Sequence, residues 1–269
     1  MENLATVRNK YFINFLAPLL PPAPAPIRIL DVGCGQGQLA RALLQNVFVE
    51  RPGSTLVAID PNPKSISILK AKIDDTNGIE ILNDDFLKYS GEKQSFDVVV
   101  MQLSLHHLFP LEEAVLHAHS FLRNNGILLA EDFERIPLDS PTARFYYDRV
   151  DLLAAANVID ISKDRDTPIS SSAAPFTPQE RWANLVLRKH EPPLHTKEDM
   201  IRAVQKVFRE VEVKENFPFW NHFLFQVALK GDEESPFIVE LLKKFLQQEE
   251  IALKEGEVKG YGYFILGRK

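Results

Sequence analysis

A chain of 269 residues, 45% hydrophobic and 25% charged, has the composition of a soluble globular protein and is long enough for a core domain plus a cap. Its net charge of −6 argues against a nucleic-acid substrate held by phosphate contacts, and the single cysteine, Cys34, excludes an intrachain disulfide and fits a reducing, cytoplasmic compartment. No His/Cys cluster has metal-site spacing and no apolar run reaches membrane-spanning length, so neither a metal nor a membrane is an expected partner.

In chain order, Arg8 and Lys10 precede an apolar run, Tyr11 to Leu20, that Asn14 and Pro18 interrupt, and Pro21, Pro22, Pro24 and Pro26 follow. Residues 1–25 therefore read as a short amphipathic helix and a stiff proline linker rather than a signal peptide. Ile27, Ile29, Leu30 and Val32 make a β-type run, Gly33, Gly35 and Gly37 a tight turn, and Leu39, Ala40, Leu43 and Leu44 the apolar face of a helix. Glycines suit such a turn because they accept positive φ and carry no Cβ, so a ligand can lie against the backbone at the helix end. A dinucleotide fingerprint, G-x-G-x-x-G, would place its third glycine where this chain has Gln38. Asp31, at the strand end, would repel a pyrophosphate and welcome an ammonium, so a nicotinamide oxidoreductase is disfavoured.

Thr55 to Ile59 forms a second strand running into Asp60, where a carboxylate can accept both ribose hydroxyls of a nucleoside, and Pro61-Asn62-Pro63 stops it. A helix over 64–75 follows, then a turn at Asn77-Gly78, a short strand from Ile79 to Leu82, and Asn83-Asp84-Asp85-Phe86. The nearly continuous apolar run Phe96 to Met101 is a strand buried on both faces, and it leads into Gln102-Leu103-Ser104-Leu105-His106-His107. Pro110 opens a helix through Leu122, and Ile127 to Ala130 makes a fifth strand finishing at Glu131-Asp132. Repeated βα units with short connections call for a parallel sheet covered on both faces, with ligands beyond the carboxyl ends of its strands. Asp31, Asp60, Asp84 and His106/His107 all fall at such ends.

The alternation stops at residue 133. Residues 133–195 hold no convincing strand but two expected helices, over 142–158 and 178–190, joined through Ser170-Ser171-Ser172. Arg144, Phe145, Tyr146, Tyr147, Arg149, Trp182, Arg188 and His190 crowd this stretch, which reads as a cap inserted between strands 5 and 6 and as the source of substrate selectivity. Thr196 and Asp199 approximate a capping box for a helix ending near Phe208, and Val211 to Phe217 is the expected sixth strand. Asn221 to Leu229 is apolar almost throughout, so a buried strand and a buried helix stay equally open. A helix over 236–253 precedes a final strand, Gly260 to Leu266. The expected organisation is thus 1–25 helix and linker, 26–132 cofactor-binding core, 133–195 helical cap, and 196–269 the C-terminal part of the core.

The D-x-G-x-G-x-G pattern of Asp31 to Gly37, with Asp60 one unit later, resembles motif I of the class I S-adenosylmethionine-dependent methyltransferases, and Gln102 to Leu108 resembles motif IV of their small-molecule branch. The resemblance covers residues 27–132 well and the last strands loosely. It implies an α/β, doubly wound, seven-stranded and mostly parallel sheet, with S-adenosyl-L-methionine as cofactor and S-adenosyl-L-homocysteine as product. Asp31 would face the amino group of the cofactor's methionine moiety. Asp84, or alternatively Asp85, would receive the adenine amino group, and Phe86 or Leu87 would cover the ring. Gly33, Gly35, Gln38, Pro61, Asn62, Gln102 and Leu103 complete the expected cofactor contacts. Absence of an N/D-P-P-Y/F signature removes exocyclic base amines and glutamine amides as acceptors. The reading is methyl transfer to an oxygen or nitrogen, less readily a carbon or sulfur, of a small molecule, by a monomer or homodimer. His107, slightly ahead of His106, is the candidate base. The alternative is a protein that binds the cofactor without transferring the methyl group.

Overall fold

In a computed structural model, residues 3–73, 78–160, 177–186, 193–220, 228–230 and 235–269 are described. The expected joint at Ser170-Ser171-Ser172, the residues Arg188 and His190, most of the ambiguous run from Asn221, and the end of the helix over 64–75 lie outside them.

The helices and strands follow the expected order, starting with α1 Leu4–Arg8 and α2 Lys10–Leu16, then β1 Arg28–Val32, α3 Gln38–Asn46, β2 Thr55–Ile59, α4 Pro63–Lys72 and β3 Ile79–Leu82. Next come β4 Phe96–Gln102, α5 Leu111–Phe121, β5 Leu122–Phe133, α6 Ser140–Ala155, β6 Ile159–Asp160 and α7 Pro178–Val186. The chain closes with α8 Lys197–Val207, β7 Glu210–Phe217, β8 Ala228–Leu229, α9 Pro236–Glu255 and β9 Gly262–Arg268.

Seven strands form one sheet in the order β3-β2-β1-β4-β5-β9-β7. β1, β2, β3, β4 and β5 run parallel, with Asp31 in register with Ala58 on one side and Val100 on the other, and Gln102 opposite Glu131. β9 is antiparallel to β5, since Glu134 N bonds to Tyr261 O and Lys269 N to Gly126 O. This is the doubly wound, mostly parallel sheet that the resemblance implies. Two small departures from the expectation have local causes. β5 begins at Leu122, five residues early, with a register shift opposite Phe96 to Val98 and Asn125 at positive φ. The stretch 133–195 does hold a strand, β6, but it is two residues long and pairs with β8 some seventy positions later, beyond the reach of periodicity.

The chain divides into two compact units. One comprises Ala5–Asp132, Leu194–Lys214 and Tyr263–Lys269, and carries the sheet; its core joins Leu30, Val32, Val99, Met101, Leu128 and Ile265 of the strands to Val115, Phe121 and Val204 of α5 and α8. Within it Phe12 and Phe15 of the N-terminal helices pack on Phe264, Phe15 stacking at 4.6 Å. Thr196 and Asp199 form the capping box of α8.

The other unit comprises Met1–Leu4, Phe133–Pro193 and Glu215–Gly262, so it takes in 215–262 as well as the stretch read as a cap. Its centre is aromatic: Tyr146, Trp182, Phe219 and Trp220 are all fully buried. Glu249 of α9, itself fully buried, accepts from Tyr146 Oη, from Phe219 N at 2.7 Å and from Trp220 N at 3.0 Å. Burial, then the Glu249 charge, raises the Tyr146 phenol well above its usual range. Tyr146, Tyr147 and Trp182, read from sequence as part of a selectivity surface, are thus interior residues, while Arg149 lies over the Phe145 ring.

Candidate cofactor site

The turn after β1 is built from the backbone outward. Gly33, Gly35 and Gly37 all have positive φ, at +73°, +52° and +78°. Gly33 N and Cys34 N bond to Ile59 O, fastening the turn to the end of β2, and Gly37 caps α3. A Cβ on Gly33 would meet Ser104 Cβ at 2.4 Å, and one on Gly37 would meet Leu69 Cδ1 at 2.0 Å. A Cβ on Gly35 would meet nothing within 4 Å, so this backbone faces open space. Two glycines are needed for packing and the third leaves a cradle.

Asp31 is 1% exposed, and its Oδ2 is buried without a hydrogen-bond partner. Burial, and then the charge of Asp60, push its carboxyl up to about 7. Gln38, the first residue of α3, also buries an unpartnered acceptor, Oε1. Buried acceptors are nearly always satisfied, so two left unmet beside an open glycine backbone mark a place built for a donor-bearing ligand. Cys34 lies in the same turn, buried, its thiol raised by burial and by Asp31 and Asp60.

Asp60 is held by the backbone, its Oδ2 accepting from Gly35 N at 2.9 Å and its Oδ1 from Asn62 N at 2.8 Å. Each oxygen keeps a further lone pair, so the carboxylate is fixed yet able to accept from a diol. Asn62 is the N-cap of α4, its Oδ1 accepting from Lys64 N and Ser65 N, and Pro61 is exposed beside it. Beyond β3, Asp84 is exposed and bonds only locally, to Asp85 N at 2.8 Å, whereas Asp85 caps the short 3₁₀ turn that follows by accepting from Leu87 N.

Phe86 and Leu87, the two apolar candidates beside Asp85, differ in burial. Phe86 is 3% exposed and packs edge-on against His117, with Phe121 behind, so its ring belongs to the core, and half-buried Leu87 is the apolar neighbour left to cover a ligand.

At the ends of β4 and β5 the polar groups are already joined. Gln102 Nε2 donates to Glu131 Oε2 at 2.6 Å and to Asn9 Oδ1 at 2.8 Å. Asn9, between α1 and α2, is buried, and its Nδ2 donates to Ala5 O. Leu103 sits at φ +54° with its N–H on Glu131 O at 2.9 Å, a left-handed conformation rare for leucine and typical of functional turns. Ser104 Oγ donates to Val32 O at 2.6 Å, tying this loop to the glycine turn. His106 Nδ1 lies 2.5 Å from Asp132 Oδ2, both side chains buried, while His107 is exposed with its ring 4.0 Å from that of His106. The structure thus joins His106 to a carboxylate, whereas the sequence put His107 slightly ahead. Asn9, Ser104, Glu131 and Asp132 escaped the sequence reading. Only the position of Glu131-Asp132 at a strand end signalled them. Among the described residues no group of three His, Cys, Asp or Glu is placed to hold a metal, and no helix is long and apolar enough to cross a membrane.

Comparison with known proteins matches the stretch of chain that carries most of these residues. Residues 30–128 match the family model described as a methyltransferase domain. Malonyl-[acyl-carrier protein] O-methyltransferase of Halalkalibacterium halodurans is 30% identical over 111 residues, 40% of this chain and 40% of that protein. Ubiquinone biosynthesis O-methyltransferase of Methylocella silvestris is 31% identical over 117 residues, 42% and 43% of the two chains. The matches thus span well under half the length of these curated relatives. Among solved structures, phosphoethanolamine N-methyltransferase 2 of Haemonchus contortus, in complex with phosphomonomethylethanolamine and S-adenosylhomocysteine, superposes with a TM-score of 0.55 at 15% identity, covering 97% of this chain and 52% of that one. A SAM-dependent methyltransferase of Archaeoglobus fulgidus does so with a TM-score of 0.52 at 16% identity, covering 97% and 94%. At these identities the structural likeness speaks for the fold.

Proposed function

We propose that residues 30–128, which match a methyltransferase domain, bind S-adenosyl-L-methionine as class I methyltransferases do, and that the chain transfers its methyl group to an oxygen or nitrogen of a small molecule. The observation that carries the proposal is the pair of buried, unmet acceptors, Asp31 Oδ2 and Gln38 Oε1, beside the open backbone of Gly35. Asp31 would hold the cofactor's amino group, Asp60 its ribose diol and the Asp84–Leu87 turn its adenine. When bound, the cofactor supplies a methyl group already activated by a sulfonium.

What remains for the chain's own residues is to hold the acceptor in line and keep water out, an orientation effect on the order of 7 to 11 kcal/mol. A base adds about 10²- to 10⁴-fold where the nucleophile must lose a proton. His106 and His107, after β4, are the candidates for that task. Acceptor selectivity is assigned to residues 133–195, the stretch that interrupts the βα alternation of the sequence. The proteins it is similar to include O-methyltransferases and an N-methyltransferase by name, which leaves both oxygen and nitrogen acceptors within the proposal. A cytoplasmic setting fits the single buried thiol, and a monomer or homodimer suffices for the chemistry.

Calorimetric titration with S-adenosylmethionine and S-adenosylhomocysteine tests this. Binding by the wild type that weakens at least about tenfold in Asp60→Ala is expected, one charged hydrogen-bond acceptor being lost. Absence of binding by the wild type would remove the proposal.

A further inference from the structure

Gln102 ends β4, and both protons of its amide nitrogen are in use, one on Asn9 Oδ1 at 2.8 Å and the other on Glu131 Oε2 at 2.6 Å. The sense of this amide is fixed by its surroundings. Asn9 is 2% exposed and its Nδ2 donates to Ala5 O at 2.8 Å. A backbone carbonyl only accepts, so Asn9 turns its own oxygen toward Gln102. An ionised carboxylate also only accepts, so Glu131 calls for the same nitrogen. A Gln102 amide turned over would set oxygen against oxygen at both contacts. Asn9 itself belongs to a fastened segment, since Thr6 Oγ1 accepts from Asn46 Nδ2 at the end of α3, and Phe12 and Phe15 pack on Phe264.

What this relay leaves over is Gln102 Oε1, which bonds to no described residue and is open to solvent on a half-buried side chain. Its place follows from the register. Asp31 lies opposite Val100, Gln102 is two residues further along the same strand, and Gln102 lies opposite Glu131, so Asp31, Gln102 and Glu131 share one face of the sheet. One strand spacing across and two residues along put the α-carbons of Asp31 and Gln102 about 8 Å apart. Both side chains can meet a small group lodged between them, at the crevice between β1 and β4 where the strand order reverses.

On the methyl-transfer reading given above, we infer that Asn9 is a positioning residue of the cofactor site: with Glu131 it locks the Gln102 amide so that Oε1 is presented to the α-ammonium of S-adenosylmethionine, beside Asp31. An ammonium has three N–H groups, and Asp31 Oδ2 satisfies one of them, so a second acceptor fixed in advance adds selectivity for a ligand that carries the amino group. A Gln102 amide free to turn would also offer N–H groups, which repel a cation. Donation of both its N–H groups polarises the carbonyl and makes Oε1 the stronger acceptor. A relay that only fastened the N-terminal helices to the sheet would leave discrimination for the amino group untouched.

The test compares, by calorimetry, S-adenosylhomocysteine with its analogue in which hydrogen replaces the α-amino group. The wild type should bind S-adenosylhomocysteine at least about a hundredfold more tightly. Gln102→Met, which keeps the length of the side chain and removes the amide, should narrow that ratio about tenfold, and Asn9→Leu about three- to tenfold. Both should do so by weakening S-adenosylhomocysteine, with affinity for the desamino analogue within about threefold of wild type. A ratio unchanged in Gln102→Met, or both ligands weakened equally in either variant, would overturn the inference. Nitrogen-15 NMR of the wild type decides independently of how the variants fold: the Gln102 side-chain amide signal should shift on addition of S-adenosylhomocysteine and not of the analogue. An equal shift with both, or none with either, would overturn the inference. A wild type that binds neither ligand would remove the methyl-transfer reading itself, whereas binding with unchanged ratios removes the role of Asn9 and Gln102 alone.

Discussion

The two edges of the site bury carboxylates in opposite ways. At the end of β1, Asp31 is enclosed with one oxygen unmet, Gln38 adds a second unmet acceptor, and Asp60 raises the cost of the Asp31 charge. At the ends of β4 and β5, Glu131 and Asp132 are enclosed with donors already in place, Gln102 for one and His106 for the other. An unmet buried acceptor costs about 1 to 3 kcal/mol, a paired one does not. The β1 edge is therefore incomplete without a ligand, and the β4–β5 edge is complete before one arrives. One edge leaves acceptors for a ligand to meet, and the other holds its polar groups fixed without one.

Asp31 offers the largest lever on this contrast. Its folded-state carboxyl, at about 7, lies above its ordinary value of 3.8, so the stability it contributes is full below about pH 4 and is lost as pH rises through 7. The loss reaches about 4 kcal/mol in the absence of cofactor. Chemical unfolding at pH 5 and pH 8.5 should show wild-type stability falling across that window and Asp31→Asn nearly flat. A wild type as stable at pH 8.5 as at pH 5 would mean that Asp31 is satisfied after all.

Phe86 and Leu87 separate packing from binding on the β3 side. Phe86→Ala should cost about 3 kcal/mol of stability, because a buried ring leaves a cavity against His117 and Phe121. Leu87→Ala should cost under about 1.5 kcal/mol and weaken cofactor binding more than Phe86→Ala does. The reverse order would return Phe86 to the ligand wall.

The glycines give the smallest effects and the finest test. Gly33→Ala, clashing with Ser104 Cβ, should lower stability by about 2 to 3 kcal/mol, whereas Gly35→Ala meets no atom and should lose only the about 1 kcal/mol of a left-handed alanine. Gly35→Ala should nonetheless weaken cofactor binding at least about tenfold, since its methyl would occupy the cradle. Equal effects of the two substitutions on stability would contradict the division of roles.

How far the sequence carried the reading follows the same division. The β1 edge is legible because it is local: Asp31, the glycines and Gln38 lie within eight positions, and Asp60 follows at the end of the next strand. The sheet is legible for the same reason, each βα unit announcing itself by its own period. The β4–β5 edge depends on partners 29 and 93 positions from Gln102 and 26 from His106, which no spacing rule joins. The sequence put His107 slightly ahead of His106, and which of the two turns inward depends on the 3₁₀ geometry after Ser104. Phe86 and Leu87 could not be separated for a related reason: an aromatic after a strand-end acidic pair suits a ligand wall and a core equally, and its packing on α5 shows only in the structure. The aromatic residues of α6 and α7 repeat the lesson, since their density is that of an interior whose partners lie in 215–262.

The most direct test of the open β1 edge is calorimetric titration of the wild type and Asp31→Asn with S-adenosylmethionine at pH 6, in buffers of different ionisation enthalpy. An ammonium arriving at a carboxyl titrating near 7 should expel a proton from the wild type but not from the variant, with affinity lower in the variant by about 10- to 100-fold. Equal affinity and no proton release in either protein would contradict the assignment of Asp31 to the cofactor.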